Sequence, residues 1–532
     1  MLDNLSVKLW AVDPLVQMFQ DDLPPVKKAA SEVLAARNEL ETAQFGLRAD
    51  TQLTNISGHV IGMPSAKVEF VGHVPLTLNT HESPDSEYVR KAPDMFPDPI
   101  FPGPIEKLAA NTTLPIWITL SIPKSKKPGR YPLKLEVKTD QGVFKIRFTL
   151  RVMSATVPDK RNLYIAHWFN LQENYCRKFY NIEVFTEKWW GLVDHYAKVM
   201  AEHRQNTVRA DCDPLISVTV GKDGNFAFDY TNHDRWVETF QKYGVAKRIE
   251  GGGFASREPW KAPEFDLDIK VIKDGKIVSR KAKLDEPETQ AYFKAYFEAL
   301  QEHLRQRGWL KKYVQQIAGE AVNENVASAR KIAQMFYKFA PEIKHIEPIH
   351  TKQKLEGVID VWVPQIDKFM RDYRFYKARQ KKGDELWFYT CCFPAETYPN
   401  RFIDCALIKV RLLHWLNYRY GATGYLHWGL NQWRTNDPYN DMHSPLGPAI
   451  MLPPGDAWIV YPSEKHILLS SIRYEAMRDG IEDYELLLKL GKKDPKKAQT
   501  LAARMIHQMD NVEQDVRKFR RARRELLEAL EE

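Results

Sequence analysis

Between His167 and Trp433, acids, histidines and aromatic residues arrive in bursts, each just after a short apolar run. The sharpest burst is Glu320, which follows Tyr313–Ala318 and Gly319 and precedes a helical pattern from about Asn325 to Phe339. A carboxylate on the first residue beyond a buried strand sits on rigid backbone yet opens toward the loop face, where it can give up a proton and take one back. The other bursts hold His167 and Trp168; Asp211 and Asp213; Glu250, followed by Gly251–Gly253; Asn323; Glu347 and His350; Asp360 and Trp362; Tyr389; and His427, Trp428 and Asn431. Acids ringed by aromatics suit cleavage of a glycosidic bond, because an acid can protonate the leaving oxygen and an aromatic face matches the C–H face of a sugar ring. Trp168, Trp362, Trp428 and Trp433 are the candidate sugar platforms. His167, Asp211, Glu250, Glu347 and Asn431 are candidate polar contacts to the substrate.

Eight strands are needed to hold these groups, and eight are readable: Leu163–Trp168, Asn206–Ala210, Val245–Ile249, Tyr313–Ala318, Ile343–Glu347, Val358–Val363, Leu386–Cys391 and Gly424–Trp428. Helical patterns such as Trp189–Glu202, Pro287–Arg307 and Phe402–Tyr418 lie between most of them, which predicts a (β/α)8 TIM barrel. The piece between the fifth and sixth strands is too short for a full helix. Two long loops carry hairpin signals, turning at Asp223-Gly224 and Asp274-Gly275, and both follow strands, so both are expected on the catalytic face. Ahead of the barrel, residues 1–157 alternate with period two between Pro and Gly punctuation. Tyr131–Val137 and Phe144–Val152 are joined through Thr139–Gly142, and a proline-rich loop from Ala92 to Pro104 interrupts the pattern. This predicts a β-sandwich. The expected organisation is multi-domain: a β-sandwich over 1–157, the barrel over 158–470, and a helical extension over 471–532 packed on the barrel.

The totals exclude several classes. Of 532 residues, 44% are hydrophobic and 27% charged, a globular rather than disordered composition. The net charge of +8 is concentrated in Arg517–Arg524, on a helix with no recognition element, so nucleic-acid binding is not expected. The 5 cysteines lack a CxxC spacing, which argues against a zinc cluster or a disulfide framework. Cys391-Cys392 reads as packing. Strand alternation puts His345 and Glu347 on one face without a third ligand, and Gly251–Gly253 opens no helix; no metal and no cofactor are expected. No apolar run is long enough for a membrane span. The N-terminus does not read as a signal peptide, so the expected location is cytoplasmic, or secreted or periplasmic if an export signal has been removed. Oligomeric state is not readable.

Tyr398–Asp404, Arg411–Trp415, Gly424–Gly429 and above all Ser471–Glu485, ending Asp-Gly-Ile-Glu-Asp-Tyr-Glu, resemble glycoside hydrolase family 123. Ala35–Glu39 with Gln44 is similar to the opening of the sandwich domain in the same proteins. The resemblance implies exo-acting release of β-linked N-acetylgalactosamine (GalNAc) with retention. In that mechanism the sugar's own acetamido oxygen attacks the anomeric carbon. It further implies an Asp-Glu pair after the fourth strand, with Glu as acid/base and Asp orienting the acetamido group. Here the pair is Gly319-Glu320. Losing a carboxylate that faces developing positive charge costs on the order of a few kcal/mol unless it is replaced. Asn323, Glu347, Asp360 and Tyr389 are the candidate replacements, with Glu347 and Asp360 able to carry the charge and Tyr389 suited to donate to the acetamido oxygen. Two alternatives stay open: a neutral-sugar glycosidase using a second carboxylate as nucleophile, and a non-catalytic glycan-binding protein. The seventh strand ends without a carboxylate, which favours substrate assistance. An acid at Glu320 is expected to have a raised pKa.

Overall fold

The computed structural model describes residues 6–26, 31–445, 451–464 and 468–531, and the side chains of Cys212 and Asp213 lie outside what is described. The chain forms two compact units. The first comprises residues 1–163, 391–420 and 429–532; the second comprises residues 164–390 and 421–428.

In the first unit two five-stranded sheets build the expected sandwich. One runs Val7–Val12, Glu39–Ala49, Thr113–Ile122, Lys67–Leu76, Asp94–Pro102; the other runs Glu32–Arg37, Gly142–Thr156, Gly129–Thr139, Leu53–Ile61, Ile105–Leu108. Period-two alternation turns Phe45, Leu47, Ile116, Leu135, Phe148 and Leu150 into one buried core, with Phe45 edge-on to Phe148 at 5.3 Å. The proline-rich segment is a correction: Asp94–Pro102 is a strand, not an interruption. It lies at the sheet edge, paired only with Lys67–Leu76 in its sheet, and an edge is where a strand tolerates proline. The same unit holds the helices Leu407–Tyr420, Ile472–Lys493, Pro495–Met505 and Val516–Ala529. Ile472–Lys493 presses closely on Leu407–Tyr420: a β-carbon on Gly480 would lie 2.3 Å from the Arg411 carbonyl oxygen. That contact requires glycine in the Asp-Gly-Ile motif.

The second unit is the parallel barrel. Its strands are β1 (Tyr164–His167), β2 (Thr207–Ala210), β3 (Arg248–Gly251), β4 (Tyr313–Gln315), β5 (Lys344–Ile349), β6 (Val361–Pro364), β7 (Glu385–Tyr389) and β8 (Gly424–His427). They pair in the order β1-β8-β7-β6-β5-β4-β3-β2. Asn206 closes the remaining gap, its side-chain oxygen accepting the Ile165 N–H at 2.9 Å. All eight expected strands are present. β3 starts three residues later than the apolar run, and β4 ends three residues earlier. No helix joins β5 to β6. Both hairpins form, Ser217–Val220 with Phe226–Asp229 and Asp266–Lys273 with Lys276–Ala282.

Candidate active site

β4 is cut short where the N–H groups that follow it turn to a single carboxylate, that of Glu347. The N–H groups of Ile317, Ala318 and Gly319 donate to the Glu347 carboxylate at 3.2, 3.1 and 2.5 Å. His345 braces the other side of that carboxylate, its Nε2 2.7 Å from Oε2. Gly319 and Glu320 then adopt left-handed backbone, φ 63° and 51°. For Glu320 this costs about 1–3 kcal/mol, a strain that persists only where the surroundings impose it. They do: the Glu320 N–H donates to the Pro348 carbonyl at 2.8 Å, and Arg257 donates to the Gly319 and Glu320 carbonyls, both at 2.9 Å.

The Glu320 side chain is aimed across the mouth. Its Oε1 accepts the Tyr389 hydroxyl at 2.6 Å and lies 3.3 Å from His350 Nε2, while Tyr389 and His350 are 3.0 Å apart. β7 is not adjacent to β4 or β5, so this triangle bridges the ring. The Glu320 side chain keeps 34% of its surface exposed. Trp260 is 46% exposed, edge-on to His350 at 5.8 Å and carrying the Arg257 guanidinium 3.8 Å from its ring.

The expected upward shift of Glu320 is overturned in the free protein. Burial pushes its carboxyl up, but the His350 hydrogen bond and charge, the Tyr389 hydroxyl and Arg257 together hold it below the usual carboxylate range. Glu250 shows the opposite balance. Burial carries it to about 7, with Arg209 and the Trp168 hydrogen bond pulling down and Asp211 and Glu347 pushing up. The Trp168 indole N–H donates to both Glu250 oxygens at 3.1 and 3.2 Å. β1 and β3 are not neighbours, so this contact also crosses the barrel interior. Arg209 covers the Trp168 ring at 4.1 Å and binds Asp211 at 2.6 Å.

The sequence candidates therefore divide. Glu320 and Tyr389 meet, and Trp168, Asp211 and Glu250 form a second cluster at the ends of β1, β2 and β3. His167 is buried at the end of β1, and Trp428 is half-buried just beyond β8, where the Trp168 N–H binds the His427 carbonyl at 2.9 Å. Asn323 is exposed in the loop after Glu320. Glu347 faces the backbone beneath Gly319. Asp360 precedes β6, at the strand's N-terminal end, where it accepts the Tyr337 hydroxyl at 2.5 Å and the His345 N–H at 2.8 Å. It is at the wrong end of the barrel to meet a substrate at the mouth. Trp362 is fully buried against the rings of Phe375 and Tyr376, with its N–H on Asp384 at 2.7 Å, so it offers no sugar platform. Trp433 is 1% exposed, its N–H on the Val460 carbonyl, and Asn431 is fully buried and bridged to Trp458; both belong to the first unit. Neither presents a surface for a ligand. Asp213 lies outside the described side chains. Trp260 and Arg257 were missed; the available signal was a Trp in the loop opened by Gly251–Gly253, read only as room for close approach to the backbone.

The comparisons with known proteins agree with this architecture. A family model described as glycoside hydrolase 123, catalytic domain, matches residues 168–490, and one described as glycoside hydrolase 123 N-terminal domain matches residues 28–139. The chain belongs to glycoside hydrolase family 123. It is thus a glycosidase, and its substrate is a glycan. A solved family 123 glycoside hydrolase from Clostridium perfringens, described for glycolipid glycan hydrolysis, shares the fold: TM-score 0.77, 16% identity, 99% of this chain and 98% of that one covered. A β-glucuronidase from Parabacteroides merdae (TM-score 0.29, 9% identity, 87% and 52% covered) and an endo-β-1,4-mannanase from Thermotoga petrophila (0.34, 10%, 62% and 78%) are too different in shape to inform the site. No curated protein matches by sequence. Among the described residues no helix is long and apolar enough to cross a membrane.

Proposed function

We propose that this family 123 enzyme is a retaining, exo-acting β-N-acetylhexosaminidase that releases β-linked GalNAc by substrate assistance, with Glu320 as acid/base. The observation that carries the reading is the strained, partly exposed Glu320 held jointly by Tyr389 and His350, with an exposed Trp260 edge-on to His350. In the first step protonated Glu320 gives its proton to the glycosidic oxygen while the acetamido oxygen attacks the anomeric carbon. The bond to the leaving group breaks and an oxazoline-type ring forms. In the second, Glu320 takes a proton from water, the water oxygen adds to the anomeric carbon, and the ring opens to restore the acetamide. Two inversions give retention.

The low pKa of free Glu320 fits this cycle. When a sugar enters, the Tyr389 hydroxyl turns from Glu320 to the acetamido oxygen and the mouth loses water. Both changes raise the carboxyl toward protonation. Gly319 leaves the acetamido nitrogen without its usual carboxylate. Glu347 is spent on three backbone N–H groups and His345. Glu250 lies on β3, paired to β4, and faces the interior; we assign it the developing charge. The neutral-sugar alternative needs a second carboxylate as nucleophile, and the seventh strand ends at Tyr389 without one.

A panel of chromogenic β-GalNAc, β-GlcNAc, β-galactoside and β-glucoside substrates tests the reading. Turnover confined to the acetamido sugars, with inhibition by a thiazoline analogue and loss in Glu320→Gln, is expected. Turnover of the neutral sugars replaces the reading with the two-carboxylate one. Glycan affinity without any turnover reduces the protein to a binder.

A further inference from the structure

Away from the mouth, two helices of the barrel unit bring three metal-ligating side chains together. His233 and Asp234 lie on the first turn of the helix Thr231–Lys242, and His303 lies on the last turn of the helix Pro287–Gln306. His303 Nε2 is 2.7 Å from Asp234 Oδ1, and His233 Nδ1 is 3.5 Å from the same oxygen. One ligand atom from each residue falls within 4.8 Å of the other two. Bonds of ~2.0–2.1 Å to a tetrahedral zinc ion space neighbouring ligand atoms by roughly 3.3 Å. The two measured edges bracket that spacing.

The surroundings fix the trio and leave one member short of partners. The Tyr230 ring stacks on His303 at 3.9 Å and 7°. Arg307 Nε lies 3.4 Å from Asp234 Oδ2, and the same guanidinium pairs with Glu238, so Oδ1 is left to face the imidazoles. His233 is fully buried. Its Nδ1 contact is at the outer limit of a hydrogen bond, and its Nε2 has no partner among the described residues. Burial pulls its pKa down, so the ring is neutral near physiological pH, the form that ligates.

We propose that His233, Asp234 and His303 form a zinc site, with water as the fourth ligand, that ties the two helices together. Two imidazoles and one carboxylate suit a borderline ion, whereas calcium and magnesium take more oxygen donors. The ion replaces the long His233 contact and the His303 hydrogen bond with bonds to metal. Arg307 stays on the outer carboxylate oxygen, the kind of support that orients a ligand. The site fastens the base of the first hairpin, whose Phe226 and Phe228 pack edge-on against Tyr292 and Tyr296 of the second helix at 5.4 and 5.7 Å. The expectation of no metal came from His345 and Glu347; His303 and Asp234 are 69 residues apart and meet only through the fold.

The test titrates the metal-stripped full chain with Zn2+ alone, by calorimetry and by melting temperature, in wild type, His303→Gln and Asp234→Asn. Wild type is expected to bind one zinc tightly and to melt higher with it. Partners that merely orient a ligand are worth about ten- to a hundredfold in affinity, so losing a ligand is expected to weaken the site about a hundredfold and to abolish the gain in melting temperature. No binding by wild type at micromolar zinc overturns the site. Equal binding by all three proteins also overturns it and leaves adventitious surface histidines only. If both variants fail to fold, one equivalent of Co2+ on wild type decides: the visible bands of tetrahedral cobalt, displaced by zinc, support the site, and an octahedral spectrum refutes it.

Discussion

The barrel mouth and the charged heart of the first unit use the same residue types to opposite ends. At the mouth, Glu320 meets a tyrosine and a histidine, keeps a third of its surface open, and sits on strained backbone. In the first unit Asp483 is fully buried between Arg411 at 2.8 Å and Arg523 at 2.9 Å, with the Trp415 N–H at 3.1 Å. Arg523 also spans Glu39 and Glu41, at 2.9 and 3.0 Å, and Arg411 reaches Asp479 at 3.2 Å. Guanidinium partners never release their protons, so the network can only hold. Tyrosine and histidine partners can reorient or titrate, so the mouth can turn over. In the Asp-Gly-Ile-Glu-Asp-Tyr-Glu motif, the most recognisable stretch of the chain, Asp479 and Asp483 are of the holding kind.

The largest effect that separates the two regions is expected from Arg523→Ala. Removing one partner of a buried network leaves carboxylates uncompensated and costs about 3–5 kcal/mol. Urea unfolding should show that loss while kcat of the folded fraction stays near wild type; a neutral result would make the network ornamental. Next comes Glu250→Gln, expected to lower kcat about a hundredfold, the scale of one lost electrostatic contact to the transition state, with little change in melting temperature. A loss of stability alone would return Glu250 to the structural class.

Histidine 350 gives a smaller, directional effect. Of the groups that oppose burial at Glu320, His350 is the strongest, so His350→Gln should move the Glu320 limb of the kcat/KM profile to higher pH. A downward move would contradict the geometry. The network predicts a pH dependence of its own. Burial pushes Glu39 to about 8 and Asp479 to about 7, against the pull of Arg523 and of Arg478 and Arg411. Their folded values exceed the unfolded ones, so the folded state binds more protons between about pH 4 and 8 and stability falls as pH rises through that window. The slope is at most about 1.4 kcal/mol per pH unit for each group. Glu39→Gln should flatten it, as read by unfolding at pH 5 and pH 8.

Most of the scaffold was legible because burial writes periodicity. Eight apolar runs marked eight strands, and Asp274-Gly275 marked its hairpin, both residues taking φ above zero. Asp94–Pro102 escaped because edge pairing leaves no burial alternation to read through its prolines. The site was legible in part. Glu320 and Tyr389 lie at strand ends, where counting residues locates them. Asp360 and Trp362 were misplaced because counting cannot distinguish the two ends of a short strand, or its inner face from its outer, once a boundary moves by two or three residues. Trp260 lies in an irregular loop, and only its contacts with His350 and Arg257 bring it to the mouth. The lowered pKa of Glu320 depends on the same long-range contacts.

The most direct test of the central claim compares Glu320→Gln with wild type on two β-GalNAc aryl glycosides, one with a good leaving group and one with a poor one. If Glu320 is the acid, kcat/KM should fall about a thousandfold for the poor leaving group, which needs the proton, and far less for the good one. An equal fall for both, or none for either, would mean that Glu320 does not protonate the leaving oxygen.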